Sequence, residues 1–382
     1  FAGELYTAYQ YVERRFGAMT KKLTAGLFLV TRALAEGVRV FAISLVVSAV
    51  LGTDTLSSIL VITLVTLFYT FEGGMQAVIW TDVVQFLLYV AGGLIVLWQL
   101  LQGIPGGWTQ VTQLAQAAGN KFAVLDFSFA WDKTYTFWAG VVGGTFLTMA
   151  SHGTDQLLVQ RLLAAGNLRK SQVALIVSGF IVLVQFLLFL IVGVLLYAFY
   201  QHFPPPTPLA RTDQVLPAYM VAYLPTGIAG VMVAAVLAAA MSTSSATLNS
   251  LAASTVVDFR RRQANQARLL RRSRLVTLVW GVVMIALALW AQRWGPVLEA
   301  GLTIASITYG AMLGVFLLGR LTHSANPRGV ALGMVIGLAT ILYVRFFTAI
   351  AWTWYVLIGT LATFSVGYLA SQLLPTRRAS AE

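Results

Sequence analysis

The chain has 382 residues, 58% of them hydrophobic and only 10% charged, with a mean hydropathy of +0.80, which excludes an ordinary soluble globular protein. Cysteine is absent, which rules out disulfides and thiolate metal sites. A net charge of +12 would suit nucleic acid in a soluble protein, but here the basic residues sit mostly in short loops beside apolar stretches, where membrane topology accounts for them.

The chain opens on Phe1 with a polar stretch that carries neither a start methionine nor a signal-peptide core, and is therefore expected to be a fragment. Ten apolar stretches read as spanning helices: 24–50, 55–71, 79–102, 135–160, 172–200, 226–258, 274–292, 296–319, 328–347 and 352–374. This makes 1–382 a single all-α, polytopic transmembrane domain, with a cytoplasmic leading segment 1–23, a bundle 24–374 and a cytoplasmic tail 375–382. Lysine and arginine alternate between its two sides, 18 on one and five on the other, and the positive-inside rule makes the richer side, with both termini, cytoplasmic.

Two arginines fall inside the first span. Arg32, Glu36 and Arg39 share roughly one helical face, and a charge in hydrocarbon costs about 2.5–3.5 kcal/mol, so that face should point into the bundle. Either Glu36 is paired structurally with one arginine, or Arg32 pairs with it and Arg39 is left to hold a substrate carboxylate. The glycine pair in Phe71–Asp82 suits a tight reversal, and Asp82 then opens the third span, where helix capping is an ordinary role. Residues 103–134 form an outer loop with room for a short surface helix.

The fourth span carries Thr148-Met-Ala-Ser-His-Gly-Thr-Asp-Gln156, too polar for a lipid-facing helix; Gly153 suggests a bend beside a cavity, with Thr148 and Ser151 as candidate substrate contacts. His152 reads as a satisfied interfacial histidine rather than a proton carrier. Pro204 to Pro208 stiffen an outer connection, and Asp213–Leu224 reads as a short amphipathic lid.

The centre of the chain is the span 226–258, which has no ionisable side chain before Asp258 and concentrates small residues and hydroxyls at mid-membrane depth. Ala239, Ser242 and Thr243 stand at i, i+3 and i+4, so one carbonyl and two hydroxyl oxygens can converge, a donor set suited to a weakly held alkali cation. The competing reading is a close-packing stripe of Ala235, Ala239, Thr243 and Thr247. The arginine cluster that follows, 260–274, is a topological anchor able to meet anionic lipid heads. Further on, Glu299 lies at an outer mouth, and Thr303, Ser306, Thr308 and Tyr309 run down one helix, Thr303 and Ser306 being further candidate substrate contacts.

Three stretches together resemble the sodium:solute symporter family: Tyr6-Thr-x4-Val12-Glu-Arg-Arg-Phe-Gly17; Gly73-Gly-x2-Ala77-Val-Ile-Trp-Thr-Asp-Val-Val-Gln85 with Asp155-Gln-x3-Gln160-Arg161; and Leu237-Ala-Ala-Ala-Met-Ser-Thr243 with Leu248-Asn-Ser250. The resemblance implies a leucine-transporter-like bundle of inverted repeats, alternating access, and Na+ on the Ala239 carbonyl and the Ser242 and Thr243 hydroxyls. It associates Asp82 with the inner sodium pathway or a second site that also uses Ser245; Ala246 offers that site no side-chain oxygen. The chain begins about at the end of the family's second core helix, so this polypeptide as written is expected not to transport. Ser151 stands where sugar carriers place an aromatic inner gate, which favours a small carboxylate or similar solute over a sugar. The expected activity is sodium-coupled symport of a small organic solute in the plasma membrane, with solute, sodium and membrane lipids as partners and no nucleic acid. The alternative is a transporter-like sensor that binds solute without net transport. No Ser/His/Asp, His-cluster or paired-carboxylate arrangement recurs at catalytic spacing, so an enzyme is not expected.

Overall fold

A computed structural model describes residues 8–70, 75–163, 165–206, 208–257 and 266–374, and within these the regular secondary structure is helical throughout. The glycine pair Gly73–Gly74, the run Arg260–Arg262 and the tail 375–382 lie outside the described residues. Among the described residues, eight helices are long and apolar enough to cross a bilayer. Two more of the expected spans differ from a simple helix. One is α2 (Thr55–Thr70), of 16 residues; the other is a broken crossing made of a π turn (Ala139–Gly143), α5 (Gly144–Thr154) and α6 (Gln156–Leu163).

Helix α1 (Ala8–Leu51) is two arms joined at Gly17, whose φ of 81° is left-handed and strained for any residue with a Cβ. The short arm, 8–16, lies back against the bundle: Tyr9 meets Phe28 with ring centroids 5.7 Å apart, Tyr11 stacks on Phe316, and Val12 and Phe16 are buried with Val315, Leu318 and Met334. The leading segment 1–23 therefore divides, its described part contributing a buried helical arm to the core. Beyond the long arm, Asp54 accepts from the Ser57 hydroxyl and from the backbone N–H groups of Leu56 and Ser57, which starts α2 and holds the Asp54 carboxyl below its ordinary range.

Helix α3 (Met75–Gly103) is followed by the surface helix α4 (Gly107–Ala117). Helix α7 (Leu168–His202), 35 residues long, is the most lipid-exposed, with Phe180, Val184 and Leu190 all turned outward. The expected lid contains a 3-10 turn, Thr212–Gln214, and α8 (Val215–Ala222), which buries Pro217, Tyr219 and Met220. Helices α9 (Thr226–Val257), α10 (Gln266–Ala291), α11 (Val297–Leu321), α12 (Pro327–Phe347) and α13 (Tyr355–Leu373) complete the order.

The two ends of the bundle are tied by arginine. At one end Arg15, beside the Gly17 turn, donates to the carbonyls of Thr322 and His323 between α11 and α12, both at 3.0 Å. At the other, Arg211 donates to the carbonyls of Gln292, Trp294 and Gly295 between α10 and α11, and Asp213 accepts from the Val297 N–H that opens α11. Helix α11 thus runs opposite to α1, and so do α9, where Ala240 packs with Phe41 and Leu251 with Phe28, and the broken crossing, where Tyr135 bonds Glu299 and Asp155 bonds Tyr309.

Apolar helices gain little by leaving lipid for one another, so close approach has to come from small side chains. On α12, Gly333 faces Gly367 of α13 so tightly that a Cβ there would stand 2.6 Å from the Thr363 carbonyl oxygen and 2.7 Å from the Gly367 Cα. On α9, Gly230 has open space within 4 Å. Gly333→Ala should therefore destabilise the purified protein by about 1–3 kcal/mol, and Gly230→Ala by less than about 0.5 kcal/mol. Thermal unfolding in detergent measures both, and equal shifts would show that the α12–α13 contact yields to a methyl group.

Candidate functional site

The long arm of α1 brings three charges to the middle of the bundle. Arg32 pairs with Asp155 at 2.6 Å, and Arg39 pairs with Glu36 at 2.5 Å. Glu36 is thus paired with one of the two arginines, as the first reading had it; that arginine is Arg39, which corrects the alternative in which Arg32 takes Glu36 and Arg39 is left free. The physical reason is the break in the fourth crossing, which falls at Asp155, two residues beyond Gly153, where the break was expected. Asp155 has extended backbone (φ −80°, ψ 119°), and its Oδ1 accepts the Leu157 N–H at 3.0 Å, so one carboxylate ends α5 and caps α6. Its Oδ2 takes Arg32 and the Tyr309 hydroxyl, the latter at 2.6 Å. A carboxylate at a helix break has room for both donors, and drawn there, Arg32 leaves Glu36 to its other neighbour.

Glu36 is buried, its side chain 1% exposed, while Arg39 remains 35% exposed. The second oxygen of Glu36 accepts from the Ser244 hydroxyl on α9. Thr31 donates to Thr308 at 2.6 Å and ties the same arm to α11.

These contacts set relative depths. Asp155 is level with Arg32, Thr308 with Thr31 and Ser244 with Glu36; a Cβ on Gly301 would lie 4.0 Å from Val38. Because α5, α9 and α11 each run antiparallel to α1 and rise about 1.5 Å per residue, Thr148 and Ser151 stand near the heights of Arg39 and Glu36. Thr303 and Ser306 fall near Glu36 and Ala33, and Ala239 and Thr243 near Phe41 and Gly37. Seven candidate residues from four helices share about 12 Å of depth.

Within that layer the Thr243 hydroxyl donates to the Ala239 carbonyl at 3.0 Å, so two of the three proposed sodium oxygens are adjacent. The Ser242 side chain lies outside the described atoms. One turn along, the Thr247 hydroxyl is fully buried with no hydrogen-bond partner among the described residues, as is that of Ser306 on α11 and, elsewhere, those of Thr66, Thr353 and Thr363. Buried hydroxyls without partners are costly in a packing interface, and neutral oxygens of this kind are what a monovalent hard cation requires. Among the described residues, no three His, Asp or Glu side chains converge as a transition-metal site would demand.

Other candidates lie elsewhere or are otherwise engaged. Ser151 donates to the Thr148 carbonyl at 3.1 Å and lies 3.0 Å from His152 Nδ1, a nitrogen also 3.1 Å from that carbonyl. Asp82 pairs with Arg161 of α6 at 2.9 Å, Ser245 is buried, and Glu299 accepts from Tyr135 at 2.8 Å at the far end of α11.

Comparison with known proteins follows the same lines. The sequence profile of the sodium:solute symporter family matches residues 2–337. The chain belongs to that family. It is 28% identical to the sodium/sialic acid symporter of Aliivibrio fischeri over 375 residues, covering 97% of this chain and 74% of that protein. Against the human sodium/iodide cotransporter it is 32% identical over 355 residues, 89% of this chain and 54% of that one. With the bovine sodium-coupled monocarboxylate transporter 2 it shares 29% over 341 residues, 87% of this chain and 55% of the other. The chain thus spans about three quarters of the bacterial relative and about half of the animal ones. A solved Na+-coupled sialic acid symporter, in a substrate-bound outward-open state, superposes with a TM-score of 0.82 at 24% identity, over 96% of this chain and 77% of that chain. That likeness establishes a leucine-transporter-like fold, and Na+ is the coupling ion of the family.

Asp155, Tyr309 and Ser244 were not among the site residues expected from sequence. A charge count carried a signal for the first: two cations and one anion in the first span left one arginine in need of a carboxylate, and Asp155 lay in a crossing already too polar for lipid. Ser244, one residue from Thr243 and about 100° further round the helix, holds Glu36.

The two ion pairs at Asp155 and Asp82 differ in burial, with side-chain exposures of 1% and 13% for Asp155 and Arg32 against 27% and 48% for Asp82 and Arg161. Asp155→Asn, which strands a buried guanidinium, should cost about 3–5 kcal/mol, whereas Asp82→Asn should cost less than about 1 kcal/mol. Chemical or thermal unfolding in sodium-free detergent compares them, and a smaller loss for Asp155→Asn would remove Asp155 from its central structural role.

Proposed function

We infer that this protein carries out sodium-coupled symport of a small organic anion, a carboxylate before a sugar, by alternating access in the plasma membrane. The observation that carries this reading is the single layer in which the neutral oxygens of Ala239 and Thr243 lie level with the half-exposed cation of Arg39. Sodium is held by the Ala239 carbonyl and the hydroxyls of Ser242 and Thr243, each replacing part of the ion's hydration shell. The solute carboxylate is attracted by Arg39, with Thr148, Ser151, Thr303 and Ser306 around it. Names among the relatives agree with an anionic solute: sialic acid, monocarboxylate and iodide are all represented.

The work is done by the ion gradient. One sodium entering a cell contributes about 2.3 kcal/mol per 100 mV of membrane potential in addition to its concentration ratio. Asp82 and Ser245 are assigned to the inner sodium pathway, where Asp82 of α3 pairs with Arg161 of α6. One sodium per cycle is the preferred stoichiometry, since Ala246 adds no side-chain oxygen beside Ser245. The basic loops face the cytoplasm; Gln266→Cys should resist an impermeant thiol reagent applied outside intact cells, and ready labelling would reverse the orientation.

Sodium binding is read without knowing the solute, because a bound ligand at free concentration L stabilises the folded state by RT ln(1 + L/Kd) and so raises the unfolding temperature. Replacing choline chloride by sodium chloride should raise the unfolding temperature of the parent. Thr243→Ala should need roughly tenfold more sodium for the same shift. Uptake into proteoliposomes of sialic acid, lactate and glucose then tests the solute class: sodium-driven entry of glucose alone, or an unchanged sodium response in Thr243→Ala, would overturn the reading.

A further inference from the structure

The sodium oxygens carry no formal charge, yet the carboxylate of Glu36 is fastened to their helix one residue away. Ser244 follows Thr243 in α9, and its hydroxyl donates to one Glu36 oxygen while Arg39 occupies the other at 2.5 Å. Exposure along this chain of contacts is graded. Glu36 and Ser244 are sealed, at 1% each, whereas the side chain of Arg39, level with the layer assigned above to the solute, is 35% exposed. A carboxylate arriving there meets a cation already neutralised by Glu36, and the two anions compete for the same donors.

We propose that Glu36 is the electrostatic link between solute and sodium: an incoming carboxylate draws Arg39 away, the charge of Glu36 is unmasked, and its field strengthens sodium binding at Ala239 and Thr243. This rests on the function inferred above and adds the residue that couples its two ligands. Linkage requires the reverse effect as well, so that bound sodium, by drawing on Glu36, loosens Arg39 for the solute. For a unit charge taken at about 8 Å, an effective dielectric of about 20–40 corresponds to roughly five- to thirtyfold in a dissociation constant.

The proposal predicts opposite signs for the two halves of one ion pair, with sodium itself as the only probe. Equilibrium binding of radioactive sodium to the purified protein, without any solute, should weaken roughly five- to thirtyfold in Glu36→Gln and tighten by a similar factor in Arg39→Gln. Arg39→Lys, which keeps the charge, should stay near the parent. In the double variant the tightening should vanish, because without the carboxylate there is nothing to unmask. A purely structural pair would shift both single variants in the same direction along with their unfolding temperatures, and that result overturns the link. If Arg39→Gln does not fold, Ser244→Ala takes its place: it keeps both charges but frees Glu36 from α9, so sodium binding should fall between parent and Glu36→Gln, and parental binding would overturn the proposal. Thr243→Ala separates the two levels of inference. Unchanged sodium binding there removes the sodium site itself, whereas weakened binding there with no effect at Glu36 or Arg39 removes only the coupling.

Discussion

A guanidinium at the centre of a bilayer costs about 2.5–3.5 kcal/mol even on the most lenient scale, and α1 carries two of them. The Arg32–Asp155 contact is the answer to the deeper one, and much else is arranged to permit it. Asp155 can reach Arg32 because α5 stops there; α6 can start there because the same carboxylate caps it; and Tyr309 completes the set of donors from α11. Three crossings are thereby held at one point. The short arm of α1 turns back at Gly17 and lays Tyr9 against Phe28, closing this region from a further side.

Elsewhere the bundle depends on the absence of side chains. Where α12 and α13 meet, glycine brings backbone to backbone, and Thr363 and Ser371 fill the remaining space. The contrast follows from the solvent: in lipid a buried leucine gains little over an exposed one, so contact density comes from small residues and specificity from the few polar groups. Helix α7 illustrates the other side, apolar around its circumference and mostly exposed, as a helix facing lipid should be.

Much of the fold was legible in the sequence because hydropathy and length are local properties. Nine of the ten expected spans correspond to a helix at nearly the expected position, and the tenth, 135–160, to the broken crossing whose polarity had marked it. Two things were not local. The position of the break needed the partner of Asp155, since Gly153 alone was the more obvious place to bend, but the glycine stays helical while the capped carboxylate ends the helix. The pairing of charges on α1 needed knowledge of which helix faces it: spacing allowed Arg32 to reach Glu36, and tertiary contact sent it to Asp155 instead. The oxygens of Ala239 and Thr243 were recognisable as a pair because i to i+4 spacing is itself a distance, whereas Ser244 acquired its role only from a residue 208 positions away in the chain.

The two ion pairs on α1 lie two turns apart and answer the same cost in different ways. Asp155 and Arg32 are closed in, with a hydroxyl donor from α11 and a backbone donor from α6 on the same carboxylate, so neither charge can leave without stranding the other. Glu36 and Arg39 share only the first half of that description, because the carboxylate is sealed while the side chain of its partner stays 35% exposed. An ion pair that is sealed at both ends fixes a structure; one that is sealed at the carboxylate and open at the cation can exchange. The difference arises from where the neighbouring helix breaks: the carboxylate of Asp155 fills the space beside Arg32, and no comparable break stands level with Arg39.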